Sequence, residues 1–508
     1  MKKRVSVFEP GVLVLGGGLS VLTAAVCMQI MGQLGMAPNT SLIGAILVMA
    51  AARVPLLVFG RFRDVQRQNY VLNIASAAGF AAANAGFMAI ATIFVMGRAE
   101  LFLPMAAAAL VGGLVSVFVL GRLFDSRIFP ARAAWPQGVA AAGLIEAGNE
   151  GGKKSRHLVQ GLVVGGIAGF FGLPAASVGI AFIADMWAMG ALAVGILLRG
   201  FSPRFGFDIG ETNIAQGAMI GAGIIALIQI ISTITKGNGG EQIHGVDDKT
   251  ARGAFIRGAV LFAAGAALIG IITGILGDMP AGQMAAWVLF AGLGGIICMV
   301  LIGTAAMHSG WAPGFAVVAI CLTIGMFLGF PPLALAVLVG YLGAVGLPMV
   351  DAGMGLKTGW LIRGKGADAD FERYGRRQQI FAKYFGVLIG IGMAVVFGAA
   401  LLRAGNIPPM SIFYGAIIDA GASRDLIGEL AIWAVPGAIL QAVFGSKSVG
   451  MMIATGLLIN NPAFGIGILA ALSARLLFGT KHMQIRGPGL IAGDGLFGFL
   501  SGALRIFF

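Results

Sequence analysis

The sequence predicts an all-α, polytopic integral membrane protein with about 14–16 transmembrane helices, some of them broken or re-entrant. Three observations predict it. Only 11% of the 508 residues are charged and 58% are hydrophobic, whereas an ordinary soluble domain carries roughly 25% charged residues. Glycine numbers 82, more than double the usual share of about 7%, which suits closely packed membrane helices. Apolar stretches of bilayer-spanning length, about 20 residues, recur from end to end. So little charge cannot solvate a soluble globule of this size. Collagen is excluded, because glycine follows no three-residue period and proline numbers only 18.

The apolar stretches fall at 11–31, 40–60, 71–96, 101–121, 158–173, 175–198, 210–234, 254–276, 284–303, 312–329, 333–350, 380–402, 427–445, 448–460, 462–479 and 488–507. Two shorter helical segments lie at 133–147 and 409–420. The whole chain, 1–508, reads as a single transmembrane domain. The N-terminal Met1-Lys2-Lys3-Arg4 before an apolar run predicts a retained first helix with its basic end in the cytoplasm.

The net charge of +13 is distributed as topology demands, since Lys and Arg collect in cytoplasmic connections. Arg61, Arg63 and Arg67 form one cluster, Arg122, Arg127 and Arg132 a second, and Lys153, Lys154 and Arg156 a third. No contiguous basic arm exists for nucleic acid. The alternation breaks around 210–234, where Arg199 and Arg204 precede the stretch and Lys236, Lys249, Arg252 and Arg257 follow it. That pattern predicts a broken or re-entrant element there. A basic cytoplasmic loop is expected at 351–379, with Lys357, Arg363, Lys365, Arg373, Arg376 and Arg377.

Soluble-enzyme motifs fail. Gly148 to Ser155 only loosely resembles a phosphate loop, and no Ser or Thr follows a Gly-Lys pair. Asp247-Asp248 reads as a solvated turn. The four histidines lack metal-ligand spacing. Cys27, Cys298 and Cys321 lie far apart in apolar segments and suggest neither a disulfide framework nor a metal cluster. The expectation is a protein that is not an enzyme and holds no cofactor or resident metal.

The informative residues are charges in apolar surroundings, because a charge at membrane depth costs a few kcal/mol unless paired or hydrated. Asp185 lies mid-span, Asp208 and Glu211 flank the irregular stretch, Asp351 closes a span, Asp494 sits in Gly493-Asp494-Gly495, and Arg53 lies in the second span. A proton relay or substrate ligand competes at each with a structural ion pair or helix-end residue. The alternatives are about even for Asp185; the structural reading leads for Asp494, Asp208 and Arg53. Most glycines read as packing residues. Gly487-Pro488-Gly489 and Gly303 through Gly314 look more like helix breaks.

Several stretches resemble one family, the oligopeptide transporter superfamily, in its bacterial members and the related yellow-stripe-like metal-chelate carriers. The most specific is Asp351-Ala352-Gly353-Met354-Gly355-Leu356-Lys357-Thr358-Gly359-Trp360-Leu361, followed by Gly375-Arg376-Arg377-Gln378-Gln379. Trp135-Pro136-Gln137-Gly138 with Glu146-Ala147-Gly148-Asn149-Glu150 is a second, and Gln68-Asn69-Tyr70 through Asn73-Ile74-Ala75-Ser76 to Gly79 a third. Gly489 to Gly495 is similar to the family's last-helix signature. Departures are Met354-Gly355 for a Gln-Asp pair, Gln137 and Asp494 for Glu, and His308 through Gly314 for a Ser-rich loop.

The resemblance implies a proton-coupled importer of oligopeptides or peptide-like metal chelates, working by alternating access in the inner (plasma) membrane. Asp185 and Asp351 are the candidate coupling groups. Asn69, Asn73, Gln137, Glu211, His308 and Lys357 are the candidate substrate contacts, with Lys357 equally readable as a topological lysine. The expected partners are the small solute, protons and the lipid bilayer, not nucleic acid, and a homo-oligomer is compatible with the sequence. Rival readings are a passive channel and a membrane-embedded enzyme.

Overall fold

The computed structural model describes residues 4–34, 44–45, 48–49, 60–150, 152–235, 245–310, 312–421, 424–444 and 449–479, with 483, 486–487, 489–491, 493–494 and 497. The span expected at 40–60, Arg53 with it, and much of that at 488–507 lie outside the described residues. Among the described residues the chain is α-helical with no strand, apart from one isolated bridge between Phe124 and Phe129. Among these residues, eight helices are long and apolar enough to cross a membrane, and six more apolar helices are shorter. The protein is an all-α, multi-pass membrane protein.

The helices used below are α1 (Pro10–Leu34), α2 (Val65–Val95), α3 (Phe102–Leu123), α4 (Pro136–Glu150), α5 (Gly152–Phe170), α6 (Ala175–Ile183) and α7 (Met186–Phe201). They continue with α8 (Ile214–Thr235), α9 (Asp248–Ile272), α10 (Ala281–Ser309), α11 (Gly314–Phe327), α12 (Pro332–Ile362) and α13 (Ala369–Arg403). α14 (Pro409–Ala420), α15 (Arg424–Phe444), α16 (Val449–Leu457) and α17 (Pro462–Phe478) complete the described set.

α12 is the axis of the core: nearly every residue from Ala334 to Trp360 is buried. It packs against α2, α3, α4, α10, α11 and α13. Small residues permit this density. On α13, a Cβ at Gly386 or Gly390 would run into the α2 backbone at Ile74 and Ala78. On α12, a Cβ at Gly353 would enter the ring of Trp135. Two features interrupt the regular ladder near this axis. Pro348 lies inside α12, removing one backbone donor. Residues Ala81–Phe87 of α2 form a π-helical segment, a form that often marks functional positions.

Three expectations are corrected. Residues 351–379 are not a loop: α12 continues to Ile362 and α13 begins at Ala369, leaving 363–368 as the turn. Of the polar residues there, Lys357, Arg363, Glu372 and Gln379 are buried and hydrogen-bonded within the bundle. The stretch at 175–198 is two helices, α6 and α7, separated at Ala184–Asp185. Cys298 of α10 and Cys321 of α11 are neighbours, and the three cysteines are free thiols. The 210–234 stretch enters through two short 3-10 turns and then runs as one helix, α8.

Several basic residues gather at one end of the bundle. Arg67 of α2 pairs with Glu9 at 2.7 Å, and Arg4 lies over the Tyr374 ring. Arg376 contacts Asp125 at 3.8 Å and Glu372 at 3.7 Å, and Arg127 contacts Asp248 at 3.3 Å. The starts of α1, α2, α9 and α13 and the ends of α3 and α12 therefore share one face.

Candidate functional site

The first site is a buried polar network between α2, α12 and α13. Asn69, Asn73 and Ser76 lie at positions i, i+4 and i+7 on α2, one helical face. Asp351, Gly355 and Gly359 repeat the i, i+4 spacing on α12, as Gln379 and Lys383 do on α13. Lys383 Nζ donates to Asp351 Oδ2 at 2.5 Å and to Ser76 Oγ at 2.8 Å. Both charged side chains are essentially inaccessible, at 0% and 1%. That burial matters: two ions removed from water lose several kcal/mol of hydration each, and close pairing is what makes the arrangement tolerable.

The network continues toward the basic end. Asn73 Nδ2 donates to Asn69 O at 2.7 Å and to Asn69 Oδ1 at 3.0 Å. Gln379 Nε2 donates to Gly355 O at 2.6 Å and to Asn69 Oδ1 at 3.4 Å. One turn further out, Arg363 makes a bidentate pair with Glu372 at 2.7 and 2.8 Å. Glycine opens the space on α12: a Cβ at Gly359 would collide with Gln379 Oε1 and stand 2.5 Å from Arg363 Nη1. Four buried atoms have no hydrogen-bond partner among the described residues: Asn69 Nδ2, Asn73 Oδ1, Gln379 Oε1 and Arg363 Nη1. Unmade bonds of this kind cost about 1–3 kcal/mol each. A cluster of such groups in one place calls for a reason, and a working site is one.

The second site is a junction of interrupted helices. α10 ends at Ser309, and Gly310 follows at φ 76°, a left-handed conformation that favours glycine. Its last carbonyls are taken up by three other segments. Trp135 N–H donates to Met307 O at 2.8 Å, Asp185 N–H to His308 O at 3.3 Å, and Gln137 Nε2 to Gly310 O at 2.8 Å. The half-helix α6 is closed at both ends. Asp494 accepts from Ala176 N–H at 2.8 Å, while Arg475 of α17 donates to Ala181 O at 3.0 Å and Ala184 O at 2.8 Å. Asp185 then caps α7 through Ala188 N–H at 2.9 Å.

A strained loop links the two sites. Asp125 and Trp135 bracket it with φ of 69° and 42°, unusual for residues other than glycine. Lys357 of α12 holds it by donating to Ala131 O at 2.7 Å and Ala133 O at 2.9 Å. Arg376 of α13 donates to Phe124 O at 2.9 Å. Trp135 is fully buried, with its indole N–H on Pro130 O at 3.1 Å.

A family model described as OPT oligopeptide transporter protein matches residues 10–235. Over that stretch the chain is similar to the OPT oligopeptide transporter family. No curated protein matches the chain. The OPT segment holds the α2 face of the first site and the Gln137 and Asp185 parts of the second. α10, α12 and α13 lie beyond it.

The predicted residues sort between the two sites. Asn69, Asn73 and Asp351 meet in the first; Gln137, Asp185 and His308 meet in the second. Lys357 belongs to the loop clamp, where two carbonyls already occupy its ammonium. Glu211 joins neither: it is exposed on a 3-10 turn beside Asp208, which pairs with Arg199. Asp247 and Asp248 divide, one capping α9 and the other pairing with Arg127. Sequence reasoning missed Lys383, Ser76, Gln379 and Arg475 as site residues. Lys383 carried a readable signal, since it lies just inside the apolar stretch at 380–402 and answers to the same criterion as Asp185.

Proposed function

We propose that this protein is a proton-coupled secondary transporter that imports oligopeptides or peptide-like metal chelates by alternating access. The observation that carries the reading is the buried Lys383–Asp351 pair with Ser76. A carrier needs a titratable group inside the bundle whose partners change as access changes. Asp351 meets the description, and the track through Gln379 to Arg363, Glu372 and Arg376 leads from it to the basic end. That end is assigned to the cytoplasm of a plasma-membrane protein, by the excess of arginine there.

The helix breaks at Ala184–Asp185 and Gly310–Pro313 support a solute site at the second cluster. Interrupted helices expose backbone groups and helix ends, which suit a zwitterionic or amide-rich solute. Gln137 and His308 are the side chains assigned to it, with Asp185 holding the break open as the cap of α7. Asn69 and Asn73 pass from solute contacts to the coupling network.

The test is uptake into proteoliposomes under an imposed proton gradient, offering peptides and ferric or nickel chelates. Accumulation that collapses with a protonophore is expected. Folded protein that moves none of these solutes defeats the carrier reading, and flux indifferent to the gradient makes it a channel.

A further inference from the structure

The polar network holds one lysine and two sets of acceptors for it. Lys383 Nζ has three hydrogens, and Asp351 and Ser76 take two. Nearby on α2 stands Asn73 Oδ1, fully buried and without a partner among the described residues. Both atoms lie against Gly355. The point where a Gly355 Cβ would stand is 3.0 Å from Lys383 Nζ and inside contact distance of Asn73 Oδ1. Absence of a side chain at Gly355 is what lets both groups meet α12 here. Asn73 is prevented from turning away, because its Nδ2 is held by both oxygens of Asn69.

We propose that Lys383 moves between two stations, Asp351 with Ser76 in one state and Asn73 Oδ1 in the other, and that protonation of Asp351 drives the exchange. When a proton arriving along the Gln379–Arg363 side neutralises the Asp351 carboxylate, the attraction holding the ammonium disappears. The side chain then swings past Gly355 to the waiting amide oxygen, keeping a charge-assisted hydrogen bond throughout. Loss of the proton returns it. The proton is added to and removed from one carboxyl oxygen, and no other bond is made or broken. Lys383 is thus a positioning residue whose place reports the protonation of Asp351.

The charged and titratable surroundings are few. α13 contributes Lys383 and, a turn or more outward, Glu372 and Arg376; α12 contributes Asp351 and Arg363. α2 faces the pair with Asn69, Asn73 and Ser76 and carries Tyr70 near Arg363. On the opposite side Arg122 of α3 lies near Tyr384. The only titratable side chain of α1, which also packs on α13, is Cys27.

The inference rests on the proton-coupled reading, and its test reads the protein apart from transport. In detergent, infrared difference spectra on acidification show the carboxylic C=O band of Asp351, identified by its loss in Asp351→Asn. Relative to wild type, Asn73→Leu and Gly355→Ala deny the ammonium its second station. The band then appears at lower pH, by about 1–3 units, the range set by one nearby opposite charge. Asn73→Asp draws the lysine away and adds a negative charge, moving the band to higher pH. Opposite shifts from two changes at one position are not expected of a packing role, and the Asp variant covers the case in which Leu fails to fold. If the midpoint stays put in both Asn73 variants, or if Gly355→Ala has no effect, the two-station mechanism is overturned. Shifts as stated without gradient-driven uptake would sink the symport reading and leave the stations standing.

Discussion

Replacing Lys383 by Met keeps the length of the side chain and removes its charge, leaving Asp351 buried at 2% exposure without its cation. At the observed 2.5 Å, the attraction at an effective dielectric of 20 is on the order of 6–7 kcal/mol. Desolvation of both ions offsets most of that, so the pair adds little relative to apolar groups of the same shape. Removing one partner is a different matter: burying the carboxylate without this cation costs about 3–5 kcal/mol. The double variant Lys383→Met/Asp351→Leu has no buried charge to satisfy and should recover most of the loss. Chemical denaturation in detergent, followed by tryptophan fluorescence, measures the four corners of the cycle. The expected outcome is a single variant at least 3 kcal/mol less stable than wild type, about the lower bound of that range, with the double variant close to wild type. Equal stability of the single and double variants would show that Asp351 does not depend on Lys383, and the assignment of the coupling pair would fall.

Asp185→Asn should leave the melting temperature unchanged, since asparagine caps a helix as well as aspartate, whereas Asp185→Ala should lose about 0.5–2 kcal/mol. If Asp185 also carries coupling, Asn there abolishes gradient-driven uptake while sparing counterflow exchange; unchanged driven uptake removes it from that role. Arg475→Ala orphans the carbonyls of Ala181 and Ala184, costing about 1–3 kcal/mol for each group left dry, read as a lowered unfolding midpoint. Lys357→Met frees the loop bracketed by Asp125 and Trp135, and limited proteolysis of membrane vesicles should then cut near Arg127–Arg132 where wild type resists. Gly386→Ala forces α13 away from Ile74 of α2; a loss of about 1–3 kcal/mol is expected from overpacking, measured in the same denaturation assay.

Composition and apolar length made the membrane class, the helical fold and most helix positions legible, because those properties depend on one segment at a time. What stayed hidden depends on pairs. The polar run 351–379 looks solvated because Arg363 and Glu372 are charged, yet each is the other's partner in the interior. Cys298 and Cys321 look isolated until α10 and α11 lie side by side. The break at Ala184–Asp185 sits in a continuous apolar run, so no period or turn signal announces it; the capping role of Asp185 needs Ala188 and the α10 terminus in view. Asn69, Asn73 and Asp351 were legible as unusual polar residues, but nothing along the chain says that Lys383 is what joins them.

The two sites share α12, and that sharing gives the helix a physical means of connecting them. Its successive residues face different partners: Asp351 toward Lys383, Gly353 toward the Trp135 ring, Gly355 toward Asn73, and Lys357 toward the carbonyls of Ala131 and Ala133. Trp135 in turn bonds the α10 terminus, where Asp185 and Gln137 also bond. A close-packed interior deforms in discrete steps more readily than continuously. A shift of α12 that accompanies motion of Lys383 would therefore displace Trp135 against its Gly353 seat and pull on the α10 end. Coupling of this kind needs no charge at the solute site itself. It needs glycine at 353 and 355, where any side chain would lock the helix in one position. The high glycine content thus has two meanings along α12: it permits helix packing, and at these two positions it seats polar and aromatic side chains directly on the helix backbone.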